Sequence, residues 1–205
     1  MDNDRQPPRA PDLDAKVMTS PMLKAMAHPL RRRIVAVLGA QEYARATDLA
    51  RQLGVAANTL SFHLRTLADA GFVQEAPEFA RDRRDRVWKG AVQSYKVGSP
   101  ETPIGPEDEA PLAAYLDQLT LDQQEMVAKV TAWAPNFATG REAEAKGDLS
   151  LGTLRLTQQE ADRVFAEVCE VLDRARDLHR TPAASDEADG VRAWDYTFMA
   201  AREDL

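Results

Sequence analysis

Residues 45–73 read RATDLARQLGVAANTLSFHLRTLADAGFV. Thr47 stands before a short helical stretch, Asp48–Leu53, and suits its cap. Gly54 fits the left-handed residue that ends such a helix, and Val55 with Ala56 completes a tight turn. A second helix is predicted from Ala57 to Ala70, ended by Gly71. Helix, three-residue turn containing Gly, helix is the helix-turn-helix pattern. On a wheel of 100° per residue, Leu60, Leu64 and Leu67 share one narrow sector and face a core. Asn58, Phe62, Arg65 and Asp69 point the other way, with Thr59 and Ser61 on the flanks. An amide, hydroxyls, a guanidinium and an apolar ring are the groups that read base edges in a major groove. The alternative is an ordinary solvated face, but a Phe beside an Arg suits an isolated surface poorly.

Working outward, a short helix is expected within Ser20–Ala27, and His28-Pro29 restarts the chain with Pro29 in the first turn of another. That helix carries Leu30, Ile34, Val35 and Leu38 on one stripe, with Arg31–Arg33 partly outside it and Gly39 as its stop. After Gly71, strands are expected over Phe72–Ala76 and Arg86–Val97. Arg81, Arg83, Arg84 and Arg86 crowd the hairpin tip between them, with Asp82 and Asp85 partly offsetting the repulsion. Such a tip is either a solvated turn or a cation cluster laid on phosphates or in a minor groove.

Three segments together, LKAMAHPLRRRIVAVL (23–38), TDLARQLGVAANTLSFHLRTLADAGFV (47–73) and RDRRDRVWKG (81–90), resemble the winged helix-turn-helix of ArsR-type bacterial regulators. The resemblance covers roughly residues 20–97 and implies a double-stranded DNA partner. It puts Asn58, Thr59, Ser61, Phe62 and Arg65 on DNA-facing recognition-helix positions and Arg81–Arg86 on the wing. The candidate DNA-contacting set is Thr47, Asn58, Thr59, Ser61, Phe62, Arg65, Arg81, Arg83, Arg84 and Arg86. Two departures stand out. Ala56 replaces a frequent Ser and caps less well. The helix 48–53 has no Cys or His, so the family's thiolate metal sensing at that place is not expected. His63 matches a common family position but lies beside the core sector, and is read as a packing residue or a backbone contact in preference to a base-reading one.

Composition narrows the rest. The chain has 205 residues, 44% hydrophobic and 29% charged, in the range of globular proteins. Net charge is −1 over residues 1–19, +6 over 20–97 and −12 over 98–205, so an overall −7 hides a basic segment. A single cysteine, Cys169, and three histidines leave no internal disulfide and little for a metal centre. No apolar run reaches the roughly 18 residues of a membrane span, and the polar, Pro-rich start carries no secretory core. Neither metal nor cofactor is expected, no membrane partner is, and a cytoplasmic location is.

Residues 1–18 are expected to be a disordered arm, 19–98 the winged domain, 99–108 a Pro/Gly linker and 109–205 a helical dimerisation and effector region. Within the last, a helix is predicted over Glu109–Trp133. Its seam of Leu112, Leu116, Leu119, Met126, Val130 and Trp133 is the candidate dimer contact, with intramolecular packing left open. Thr120–Gln123 also fits a capping box, leaving two shorter helices open, and residues 134–148 read as a loop. Thr157-Gln-Gln-Glu160 opens a helix to about His179. Gly152–Leu156 and Val191–Ala200 read as strands that pair with each other. Tyr115, Trp133, Trp194, Tyr196 and Phe198 line either a core or a ligand pocket, the core being favoured. Cys169 and His179 lie roughly 15 Å apart on one helix, too far for a dyad, and Cys169 is read as a packing residue. The fold class is mainly α with small β: a winged helix-turn-helix, then a helical region with a two-stranded element. The function expected is a homodimeric, sequence-specific DNA-binding transcriptional regulator acting as a repressor, with an unidentified small-molecule effector left open and no enzymatic activity. The alternative is a module that uses the same winged helix to dock a protein.

Overall fold

The computed structural model describes residues 16–91, 95–178 and 190–204. The expected arm up to residue 15, His179 and the loop 180–189 lie outside them. The elements in chain order are β1 (Lys16–Val17), α1 (Ser20–Met26), α2 (Pro29–Ala40), β2 (Ala44–Arg45), α3 (Ala46–Leu53), α4 (Ala57–Asp69), β3 (Val73–Glu75), β4 (Val87–Gly90), β5 (Tyr95–Lys96), α5 (Glu109–Ala138) and α6 (Gln158–Asp177).

Local chemistry explains the helix boundaries. Pro29 opens α2, and the His28 ring nitrogen caps it by accepting from the Leu30 N–H at 3.2 Å. Gly54 ends α3 at φ 66° and ψ 33°, a conformation that costs glycine little. Thr157 and Glu160 form the predicted reciprocal capping box of α6. Apolar stripes then close one core. Met22 and Leu23 of α1, Ile34 and Leu38 of α2, Leu49 of α3, Leu60, Leu64 and Leu67 of α4, and Phe72 are all buried in it. Each such side chain contributes roughly 1.5–3 kcal/mol on burial. A three-stranded antiparallel sheet, ordered β2-β4-β3, borders this core. Trp88 in its centre faces Ala44 on one side and Glu75 on the other.

The mixed fold, a helix-turn-helix followed by a helical region, is as the sequence predicts. Several details differ. Thr47 does not cap α3, because the helix begins earlier: the Ala46 N–H already donates to the Arg86 carbonyl at 2.8 Å, and Arg45 is the N-cap. Gly39 lies inside α2, which runs on to Ala40. The strand expected over Arg86–Val97 is two. β4 stops at Gly90, and β5 pairs in parallel with β1, Lys16 opposite Tyr95, which puts Lys16 and Val17 in a strand and not in the arm.

In the C-terminal half, α5 is one helix of 30 residues. Thr120 does not interrupt it, since its hydroxyl donates back to the Leu116 carbonyl at 3.1 Å. Nor does Pro135, where a stack of Trp133 on Phe137, 5.0 Å between centroids, holds the last turn. Gly152–Leu156 and Val191–Ala200 form no strands. Among the described residues neither segment carries ladder bonds to a neighbouring strand, and alternation alone does not supply them. Trp194, Tyr196 and Phe198 of that tail remain 63%, 53% and 48% exposed, so they do not form the expected core. Cys169 is also exposed rather than packed. Among the described residues no helix is long and apolar enough to cross a membrane.

Candidate nucleic-acid interface

Helix α4 has two chemically distinct sides. Leu60, Leu64 and Leu67 are at most 1% exposed and bind it to α1, α2 and α3. Asn58, Thr59, Ser61, Phe62 and Arg65 are all exposed on the other side, Phe62 at 59%. The backbone decides what these groups still offer. Ser61 donates its hydroxyl proton to the Ala57 carbonyl at 2.8 Å and keeps its lone pairs. Arg65 uses only Nε, on the Ser61 carbonyl at 3.2 Å, leaving both terminal nitrogens. Asn58 turns its carbonyl oxygen to the Thr59 N–H at 2.8 Å and leaves its NH2 outward. That last contact replaces part of what Ala56, the N-cap with no side-chain acceptor, cannot give.

His63 lies between the two sides, 7% exposed, with its ring 4.5 Å from His28 and 5.4 Å from Phe62. It is buried among packed groups and not on the outward face. Burial first, then the Arg31 charge, holds its pKa below the ordinary imidazole value.

The hairpin after α4 carries the other candidates. Arg81, Arg83, Arg84 and Arg86 are exposed at its tip, between β3 and β4. They are not equivalent. Arg86 donates to the Glu75 carboxylate at 2.7 Å, whereas among the described residues no side-chain hydrogen bond holds Arg81, Arg83 or Arg84, and Arg81 feels only the nearby charge of Asp85. Thr47 is exposed in the first turn of α3. The arginine run of α2 divides differently from its sequence. Arg31 donates to the carbonyls of Ala25 and Lys24 at 2.5 and 3.0 Å, which satisfies the open end of α1. Arg32 is 8% exposed, donates to the Met26 carbonyl at 2.7 Å, and holds Asp122 of α5 through two bonds of 2.6 and 2.9 Å.

Sequence reasoning misses Arg45. From β2 it donates to Asp85 at 3.0 Å and to the Phe79 carbonyl at 3.4 Å, tying the hairpin tip to the domain. Its partner lies 40 residues on, so no local pattern announces it. Of the dimer candidates on α5, Leu112 packs on the N-terminal core. Leu119, Met126, Val130 and Trp133 are half-covered, and Leu116 is 48% exposed. Among the described residues, no cluster of three His, Cys, Asp or Glu is placed to hold a metal ion.

Comparison with protein families matches residues 26–75 to a helix-turn-helix domain. No curated protein matches the chain. Among solved structures, a mutant of ZitR from Lactococcus lactis is similar at 11% identity with a TM-score of 0.32, covering 72% of this chain and 74% of that one. A likeness that distant carries no functional weight.

Proposed function

We propose that the chain is a homodimeric, winged-helix, double-stranded-DNA-binding transcriptional regulator. One observation carries this reading. A helix-turn-helix second helix, anchored by three fully buried leucines, exposes Asn58, Thr59, Ser61, Phe62 and Arg65 together, beside a hairpin tip where no side-chain hydrogen bond among the described residues ties down the exposed Arg81, Arg83 and Arg84. In this assignment α4 enters the major groove. Asn58 offers its amide to bases or phosphates, Arg65 its two free nitrogens, and Phe62 an apolar contact for a thymine methyl. Arg81, Arg83 and Arg84 lie on flanking phosphates, Arg86 supports them from its pair with Glu75, and Thr47 adds a backbone contact from α3. Binding of this kind by a dimer excludes other proteins from the same duplex, which makes repression the output assigned here. The chromosome's compartment, the cytoplasm of a bacterial cell, is its place of work, and no catalytic step is assigned to it.

A titration against genomic duplex over a range of salt tests the reading. Neutralised phosphates release counterions, so affinity falls steeply as salt rises. Arg65→Ala weakens operator binding by about 1–3 kcal/mol if Arg65 pairs with a base, and less on random DNA. Equal loss on both reduces Arg65 to a phosphate contact. Absence of any retarded duplex at low ionic strength removes the reading, and the exposed Phe62 then favours a protein-docking module.

A further inference from the structure

The hairpin tip carries two carboxylates at the place where a polyanion is proposed to dock, and both are occupied in shaping the loop. Asp82 Oδ1 accepts the backbone N–H of Arg84 at 2.7 Å and that of Asp85 at 3.1 Å. Asp85 Oδ2 accepts the Arg81 N–H at 3.0 Å and the Arg45 Nε–H at 3.0 Å. Arg45 is itself fixed. It is 15% exposed, its guanidinium lies 5.8 Å from the Tyr43 ring centre, and Tyr43 stacks on Phe79 at 4.1 Å. The Arg81 N–H first, then Arg45, hold the Asp85 carboxyl below the usual carboxylate range, so the latch stays ionised at neutral pH. The loop between Arg81 and Asp85 is thus closed on two anions from within, while the side chains of Arg83 and Arg84 meet no side-chain partner among the described residues.

We propose that Asp82 and Asp85, with Arg45 behind them, are positioning residues for DNA binding: they fix the tip backbone so that Arg83 and Arg84 meet phosphate already ordered. This rests on the DNA-binding reading of α4 and the hairpin. A floppy tip with the same cations loses conformational freedom on docking, and that loss subtracts from affinity. A carboxylate near phosphate repels it, but in water at physiological salt a charge pair separated by more than about 8 Å is largely screened. The geometric gain outweighs that repulsion when the carboxylate is turned inward onto N–H groups.

The two effects have opposite signs, which makes the proposal testable at Asp82. Asp82→Ala sheds a negative charge and also both accepted hydrogen bonds. Asp82→Asn sheds the same charge and keeps an acceptor oxygen in place. Positioning predicts that full-length Asp82→Ala binds duplex about three- to tenfold more weakly than the parent, the scale of one or two net hydrogen bonds. Asp82→Asn binds as tightly as the parent or more so. Charge alone predicts that both variants bind more tightly, and that result overturns the proposal. Backbone order parameters of the free protein, measured by NMR relaxation, supply a readout independent of DNA. Those of Arg83 and Arg84 drop in Asp82→Ala and stay at the parent value in Asp82→Asn. Unchanged order in Asp82→Ala overturns the proposal even where duplex binding is intact. Loss of duplex binding by the parent chain itself overturns the DNA-binding reading and this inference with it.

Discussion

His28 and His63 meet between the start of α2 and the middle of α4, ring centroids 4.5 Å apart, and a proton on either ring adds a positive charge beside the other ring and Arg31. His28 caps α2 through an unprotonated ring nitrogen, and His63 Nδ1 is buried without a hydrogen-bond partner among the described residues. Burial, then His63, Arg31 and Arg32 lower the His28 pKa; burial, then Arg31, lower that of His63. The unfolded chain therefore takes up protons first as pH falls. Stability is complete above the ordinary imidazole value of 6.5 and declines as pH drops through it toward the lowered folded values. Thermal melts between about pH 7.5 and 5.5 are expected to show that decline. His28→Asn keeps a capping oxygen and His63→Leu suits an apolar site, so the double variant flattens the profile. A profile as steep as the parent's refutes the assignment to this pair. The packing role of His63 is legible from its place on the wheel. Its partner is not, because a helical wheel orders one helix and says nothing of the residue that faces it.

Helix α4 begins at an uncapped residue, and this has a measurable cost. Ala56 has φ −67° and ψ 144°, the extended conformation of an N-cap, but no side-chain acceptor for the first N–H groups. A Ser there reaches the Asn58 or Thr59 N–H without backbone change. Ala56→Ser is expected to stabilise the chain by about 1 kcal/mol. For a protein of this size that raises the unfolding midpoint by roughly 2–4 °C. An unchanged or lower midpoint means that Asn58 already satisfies this end. The same locality explains what the sequence reveals at the level of elements. The turn at Gly54 and the Thr157–Glu160 box depend on residues three or four apart, and both are found as read. Strand pairing depends on residues far apart. Nothing within Arg86–Val97 signals that Tyr95 abandons the hairpin for Lys16, and nothing within Val191–Ala200 signals that it has no partner strand among the described residues. Helix α5 departs for another reason: the Thr120 hydroxyl, which could have capped a new helix, bonds back to the Leu116 carbonyl inside the one that continues.

Across the whole molecule, α5 packs on the helix-turn-helix half through α1, Leu112 and Tyr115, and a two-point ion pair adds to that packing: Arg32 of α2 held by Asp122 of α5 with bonds of 2.6 and 2.9 Å. Planar two-point geometry restricts rotation as well as separation. Because α2 packs on α4, the pair links the placement of α4 to that of α5 through α2. Helix α5 touches the seven-residue α1 over part of its thirty residues, has no buried residue in the single chain, and leaves Leu116 and Val127 48% and 50% exposed. Those two are eleven residues apart, three turns along one face and roughly 16 Å on the axis. In the homodimer proposed above, a second copy related by a two-fold axis covers this face and sets the two α4 helices on half-sites about 34 Å apart. Leu116→Asn with Val127→Asn tests this without altering net charge, so a change in DNA affinity is not electrostatic in origin. The parent is expected to sediment as a dimer and the variant as a monomer of 22.7 kDa. On duplex, the variant loses the advantage of two correctly spaced half-sites over one but keeps its affinity for a single half-site. A variant that still dimerises moves the interface elsewhere on the chain. A variant that is monomeric yet still prefers paired half-sites breaks the link between α5 and α4 that the Arg32–Asp122 contact is expected to enforce.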